Sequence, residues 1–196
     1  MHKSLLVVFI VFVSLVCTAC VNRFAVQELN NNAKELLSQG KVDAAIARLE
    51  SSIDLDESIF ETHYNLAVAY IEAKKYDKAL ASLEKVKQLN PDFAEAYHSM
   101  GVCYEEKAYE IINEEKEDKK LSNDDEETAE TSKKELSTED KIKVTEYLTA
   151  AIDSYNAYLT KKENAEDKEK VEQKIDELNK KIKEYSDSDS VKEENE

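Results

Sequence analysis

The chain has 196 residues, of which only 2 are glycine and 1 is proline, which excludes turn-rich β-barrels and glycine-rich phosphate loops and predicts a mostly helical fold. Its formal net charge of −16 argues against a nucleic-acid partner, because phosphate backbones repel an acidic surface. Hydrophobic residues make up 41%, enough for a packed core, whereas 36% charged residues predict that part of the chain is unpacked.

The first twenty residues have the pattern of a secretory signal. A basic start containing Lys3 precedes an apolar run from Leu5 to Val16, which is followed by small residues and Cys20. Thr18-Ala19-Cys20 resembles the lipobox of bacterial lipoproteins, in which the cysteine is acylated and the preceding peptide is removed. The alternative is an uncleaved signal anchor, although the apolar run is at the lower limit for crossing a bilayer.

The lipoprotein resemblance implies a location in the cell envelope. We expect residues 1–19 to be a signal peptide, Cys20 to carry the lipid and residues 20–25 to form a short tether. Because Val21 rather than aspartate follows the cysteine, the periplasmic face of the outer membrane is favoured if the host has two membranes. Lipidation of Cys20 would leave Cys103 without a disulfide partner, so packing must hold the fold together.

The region after the tether repeats with a period of 34 residues. The matching positions are Asn32, Leu66 and Met100; Ala33, Ala67 and Gly101; Leu36, Tyr70 and Tyr104; Ala45 and Ala79; and Leu49 and Leu83. These positions fall on helical stripes, with a small residue where two helices approach closely. The pattern resembles the tetratricopeptide repeat (TPR) family, most specifically over residues 60–93. This resemblance implies an all-α solenoid of about three helix–turn–helix repeats over residues 26–163.

The third repeat is interrupted by an insertion of 38 residues. Its first helix contains Tyr97 and Gly101, but the counterpart of its second helix is Ala151 to Tyr155, which mirrors Ala45 to Leu49. The intervening sequence is acidic and almost without apolar residues, so we expect two overlong helices joined by a disordered acidic tip at about 113–137. Ser137 is predicted to begin the second of these helices. We expect residues 116–134 to be dispensable for folding.

A last helix is predicted over residues 164–186. Its apolar seam has coiled-coil spacing and consists of Val171, Ile175, Leu178, Ile182 and Tyr185. A helix that caps the open end of the solenoid is the favoured interpretation. A homodimer seam is the alternative, and residues 187–196 are predicted to be a disordered tail.

The chain offers little chemistry for an enzyme. His63 and His98 lie 35 residues apart without metal-ligand spacing, and Cys103 has no activating partner in the sequence. No pair of carboxylates is selected by its spacing. We therefore predict no enzymatic activity, no metal and no cofactor.

In TPR proteins the first helix of each repeat lines a concave groove that binds a peptide or a partner helix. By repeat position, the groove residues implied here are Asn30, Lys34, Tyr64, Asn65, Val68, His98, Val102 and Glu105. Some family members clamp a terminal carboxylate, but here Asn30 stands where that clamp has lysine and Lys34 where it has asparagine, so we expect the clamp to be absent. The predicted function is a lipid-anchored scaffold or adaptor for an envelope protein or peptide. The alternative is a structural envelope protein that self-associates through the last helix.

Overall fold

The computed structural model describes residues 23–121 and 136–190, and within these ranges all regular structure is α-helical. The helices are α1 (residues 23–38), α2 (Val42–Leu55), α3 (Phe60–Glu72), α4 (Tyr76–Leu89), α5 (Ala94–Leu121), α6 (Thr138–Lys161) and α7 (Lys168–Ser190). The chain divides into two compact units, an N-terminal unit, Met1–Pro91, and a C-terminal unit, Asp92–Glu196. The predicted all-α fold class is confirmed.

The N-terminal unit consists of two helical hairpins whose boundaries follow the repeat. The second helices α2 and α4 begin at Val42 and Tyr76, which are 34 residues apart. The repeated small and aliphatic positions are all completely buried, namely Ala33, Ala45, Leu49, Ala67, Ala79 and Leu83. Alanine at the crossing points lets the helix backbones approach, and leucine fills the space beside it. The helix pairs are therefore held by the residues that define the period.

The turns inside the two hairpins have the same backbone geometry. Gly40 has φ of 71° and Lys74, its counterpart one repeat later, has φ of 54°. In the first turn Gly40 N donates to Leu37 O at 2.8 Å and Lys41 N donates to Leu36 O at 2.9 Å. The turn at Lys74 repeats both bonds, which together form a Schellman motif. Glycine adopts the left-handed conformation without strain, whereas Lys74 adopts it at a cost.

The C-terminal unit is built on two long helices. Residues of α5, α6 and α7 form one core, which includes Ala108, Val144, Leu148 and Leu178. The predicted start of α6 is confirmed, since Ser137 is its N-cap and accepts a 3.1 Å hydrogen bond from Asp140 N.

The long first helix extends further than the sequence predicted. The expected disordered tip began at about residue 113, but α5 continues to Leu121. The segment after residue 113 consists mostly of glutamate and lysine, which propagate a helix once a packed base has formed it. The remainder of the predicted tip, residues 122–135, lies outside the described residues.

The last helix, α7, uses its apolar seam within the chain. Val171 and Leu178 are buried in the core with residues of α5 and α6, and the other three seam residues pack against it. The opposite face of α7 is polar and exposed. The helix begins at Lys168 and ends at Ser190, so the disordered tail predicted from residue 187 is wrong for residues 187–190. Residues 191–196 lie outside the described part of the chain.

A size exchange adapts the third repeat to its own helix pair. Gly101 occupies the position of Ala67, while Tyr155 occupies the position of Leu83. A Cβ atom added to Gly101 would lie 2.6 Å from Cε1 of Tyr155 and 2.7 Å from its Cδ1. The larger residue on α6 is therefore accommodated by the loss of a methyl group on α5.

Candidate functional site

A polar cleft of about 740 Å³ lies on the N-terminal unit, and we refer to it as the α1–α3 cleft. It is formed by one face of α1, the loop between α2 and α3, and the first turns of α3. The lining residues are Arg23, Val26, Gln27, Asn30, Asn31, Lys34, Asp56, Ser58, Ile59, Glu61, Thr62 and Asn65. Those from α1 recur at intervals of three and four residues, which places them on one face of that helix.

Two asparagine side chains join the helices that form the cleft. Asn65 Nδ2 on α3 donates a 2.8 Å hydrogen bond to Asn30 Oδ1 on α1. Asn30 Nδ2 lies 2.9 Å from Val26 O, Ser52 Oγ and Thr62 Oγ1, so its two hydrogens have three acceptors within reach. Ser52 and Thr62 are fully buried, which fixes the carboxamide of Asn30 from below. Asn30 therefore orients Asn65, whose carboxamide lines the cleft.

The charges in the cleft balance, in contrast to the acidic chain as a whole. Arg23 and Lys34 contribute two positive charges, while Asp56 and Glu61 contribute two negative charges. Asp56 Oδ1 accepts hydrogen bonds from Ser58 N at 2.9 Å and from Ser58 Oγ at 2.6 Å. These bonds hold the pKa of Asp56 below its usual value, and the nearby Arg23 lowers it slightly further. Asp56 is therefore a persistent negative charge at the end of the cleft where α1 begins.

Three of the eight predicted groove residues line this cleft, namely Asn30, Lys34 and Asn65. Tyr64 and Val68 are half-buried residues of α3 and do not line it. His63, the other residue considered on α3, is buried, and its Nε2 lies 2.8 Å from Glu57 O.

The other three predicted groove residues belong to the C-terminal unit. The ring of His98 meets the rings of Tyr155 and Tyr158 edge-on at centroid distances of 5.5 and 5.1 Å. Val102 packs against the core of the same unit. Each of these side chains is partly exposed.

The assignment of Glu105 as a groove residue is wrong. Its residue exposure is 7%, and its carboxylate accepts hydrogen bonds from Tyr155 Oη and Lys174 Nζ, each at 3.0 Å. Lys174 lies on α7, which the sequence pattern could not place next to α5. Glu105 therefore stabilises the docking of α7 and is not presented to a partner.

Sequence reasoning also missed several residues that line the cleft. Gln27 and Asn31 lie three and one residues from Asn30 on the same face of α1, and this helical spacing could have revealed them. Asp56 and Ser58 come from the loop before α3, and no repeat position marks them. Glu61 and Thr62 precede Asn65 by one helical turn.

The remaining reactive side chains support no chemical step. Cys103 is completely buried, and burial raises the pKa of its thiol to about 12, so the nucleophilic thiolate is disfavoured. Over the described ranges, no three histidine, cysteine, aspartate or glutamate side chains cluster in a way that could hold a metal ion. None of the helices described here is long and apolar enough to span a bilayer.

Comparison with known proteins agrees with this architecture. Residues 36–101 match the family model of the tetratricopeptide repeat. No curated protein matches the chain in sequence. The first TPR domain of human RPAP3 superposes with a TM-score of 0.56 at 16% identity, covering 83% of this chain and 96% of that one.

Two peptide or partner complexes are also among the similar structures. The first TPR of Spaghetti (RPAP3), bound to an HSP90 peptide, has a TM-score of 0.55 at 16% identity over 80% of this chain and 92% of that one. The TPR2B domain of yeast Sti1, in its complex with pHsp70, has a TM-score of 0.54 at 15% identity over 81% and 98%. At such identities the similarity concerns the fold. The chain therefore contains tetratricopeptide repeats, matched over residues 36–101, and has the all-α fold of that family.

Proposed function

We propose that this protein is a lipid-anchored adaptor of the bacterial cell envelope that binds a segment of a partner protein in the α1–α3 cleft. The single observation that carries the binding proposal is the Asn30–Asn65 pair on the wall of a cleft of about 740 Å³. Similar TPR structures were determined with peptides or partner proteins bound, which supports peptide binding by this fold.

The cleft favours a partner that is recognised through its main chain. A carboxamide offers both a donor and an acceptor, which match the C=O and N–H of an extended peptide. Asn65 is already oriented by Asn30, so little side-chain entropy is lost when a peptide binds. Lys34 and Glu61 supply one charge of each sign for side chains of the partner.

A photo-crosslinking experiment tests the binding site without knowledge of the partner. A photoreactive amino acid replaces Asn31 in the cleft or, as a matched control, Ala47 on the exposed side of α2. We expect a discrete adduct from position 31 and none from position 47, and Asn65→Ala should suppress the adduct. Equal adducts from both positions, or an adduct insensitive to Asn65→Ala, would contradict the proposal.

The predicted contact at Tyr64 is tested once the adduct identifies the partner. If the binding surface continues along α3 beyond the cleft, Tyr64→Ala should weaken affinity by about 1–3 kcal/mol, the scale of an interface hot spot. The melting temperature should change little. A large loss of stability with unchanged affinity would mean that Tyr64 only packs between helices.

The anchor is a separate part of the proposal and rests on Thr18-Ala19-Cys20, which lies outside the described residues. Intact mass of the protein from the membrane fraction should show residues 1–19 removed and Cys20 acylated. Cys20→Ser should release the chain from membranes. Retention of a cleaved Cys20→Ser chain on membranes would overturn the anchor.

Self-association through the last helix is not proposed as the function. The seam on which that alternative depended, including Val171 and Leu178, is packed in the core of the C-terminal unit. Sedimentation of the detergent-solubilised protein at known concentration should therefore give a monomer.

A further inference from the structure

The N-terminal unit exposes its large apolar side chains at one end. Phe24 is 73% exposed, Leu55 is 41% exposed and Leu89 is 37% exposed. Phe24 lies in the first turn of α1, whereas Leu55 and Leu89 are the last residues of α2 and α4. Short connections make consecutive helices antiparallel, so the start of α1 and the ends of α2 and α4 lie at the same end.

A contact within the unit supports this arrangement. Asp56 follows Leu55 directly, and it lines the α1–α3 cleft together with Arg23, the residue before Phe24. Arg23 is also close enough to lower the pKa of the Asp56 carboxyl. The beginning of α1 and the end of α2 are therefore neighbours.

The same end of the unit is the one closest to Cys20 along the chain. Only Val21 and Asn22 separate Cys20 from Arg23, where helix α1 is already formed. Three residue steps span at most about 10–11 Å even when fully extended. A lipid on Cys20 would therefore hold this end, and no other part of the unit, within about one headgroup layer of the bilayer.

We propose that Phe24, Leu55 and Leu89 form a membrane-contact surface that seats the N-terminal unit end-on on the bilayer. This inference rests on the proposed acylation of Cys20. The three side chains lose apolar exposure when they enter the lipid interface, which adds to the attachment by the acyl chains. The end of the cleft formed by Arg23 and Asp56 then lies beside the lipid headgroups, so the partner segment is one that lies close to the membrane.

The contact is apolar rather than electrostatic. Asp54, Asp56 and Glu57 surround the surface, and only Arg23 carries a positive charge in the first turn of α1. Anionic lipids would be repelled by these carboxylates. The appropriate probe is therefore a vesicle of zwitterionic phosphatidylcholine.

The chain contains no tryptophan, so Phe24→Trp creates a single fluorescent reporter. The matched control is Ser38→Trp, an exposed position at the other end of the same helix, about 21 Å away at 1.5 Å per residue. Each full-length variant is expressed with its leader, recovered from the membrane fraction, checked by intact mass for acylation and reconstituted in phosphatidylcholine with brominated acyl chains. We expect blue-shifted, strongly quenched emission from Trp at position 24 and unquenched emission at position 38.

The outcomes separate the inference from the proposed function. Acylated protein whose reporter at position 24 remains unquenched would overturn the membrane-contact surface and leave the anchor intact. Equal quenching at both positions would overturn the end-on orientation. An unacylated Cys20, seen in the mass spectrum, would overturn the anchor and this inference together.

Discussion

Replacement of Gly101 by alanine tests the size exchange between α5 and α6. An added Cβ would meet the ring of Tyr155 at 2.6–2.8 Å, far inside the 3.5–4.0 Å of a favourable carbon contact. The ring is only 3% exposed, and its hydroxyl is held by Glu105, so it cannot move aside freely. Overpacking of this kind costs about 1–3 kcal/mol.

A favourable term opposes this cost, because alanine is about 1 kcal/mol better than glycine inside a helix. Given how short the contacts are, we expect the clash to prevail and Gly101→Ala to lower the free energy of unfolding by about 1–2 kcal/mol. When Tyr155→Leu has removed the ring, the same change at Gly101 should stabilise by about 1 kcal/mol. The sign of the effect therefore depends on the residue at position 155.

The assay is urea denaturation followed by circular dichroism on the two single variants, the double variant and the parent. The expected coupling energy between the two positions is about 2–3 kcal/mol. Tyr155→Phe is the control that keeps the ring and removes the hydroxyl, and in that background Gly101→Ala should still destabilise. The reasoning is refuted if Gly101→Ala stabilises the parent, or if it has the same effect in the parent and in the Tyr155→Leu background.

Three further changes probe the turns, the ionised groups and the last helix. Lys74→Gly should raise the free energy of unfolding by about 0.5–1 kcal/mol in the same assay, since relief of the left-handed strain exceeds the entropy cost of glycine; a loss of stability would contradict that account. Burial is the main cause that lowers the pKa of His98 below 6.5, so the unfolded chain binds more protons, and stability should fall as the pH drops below 6.5 toward the folded pKa. Denaturation of parent and His98→Phe at pH 7.5 and 5.5 checks this, and an equal loss in both would exclude His98 as its source. Lys174→Met should cost about 1–2 kcal/mol because it leaves the Glu105 carboxylate buried without its cation, whereas Lys143→Met, at a pair whose Glu139 is 78% exposed, should cost under about 0.5 kcal/mol; equal effects would mean that burial of Glu105 adds nothing.

The repeat architecture was predictable because it depends on local spacing. Ala67 and Leu83 mark the crossing point of one helix pair, and the same residue types recur one period earlier at Ala33 and Leu49. Helical periodicity places such residues on a single face, so burial follows from the pattern alone. The positive φ at Gly40 and the cap at Ser137 were predictable for the same reason, since each depends on a few adjacent residues.

The candidate site was only partly predictable. Repeat position led to Asn30, Lys34 and Asn65, which the structure brings together in one cleft. It did not lead to Asp56, because a loop residue has no fixed place in the period. It assigned Glu105 to the groove because the sequence contains no sign of where Lys174 will lie.

The amino-acid sequence by itself determined the helical class, the 34-residue period, the residues of each helix interface and the interruption of the third repeat, because these follow from spacing along one helix or between adjacent helices. Only the tertiary structure decided which polar residues share a surface. The orientation of Asn65 by Asn30 joins residues 35 apart, the pairing of Glu105 with Lys174 joins residues 69 apart, and the fit of Gly101 to Tyr155 depends on how closely two helices approach. Such contacts are set by the packing of whole helices, to which each residue contributes only a small part, so they emerge when the fold is complete.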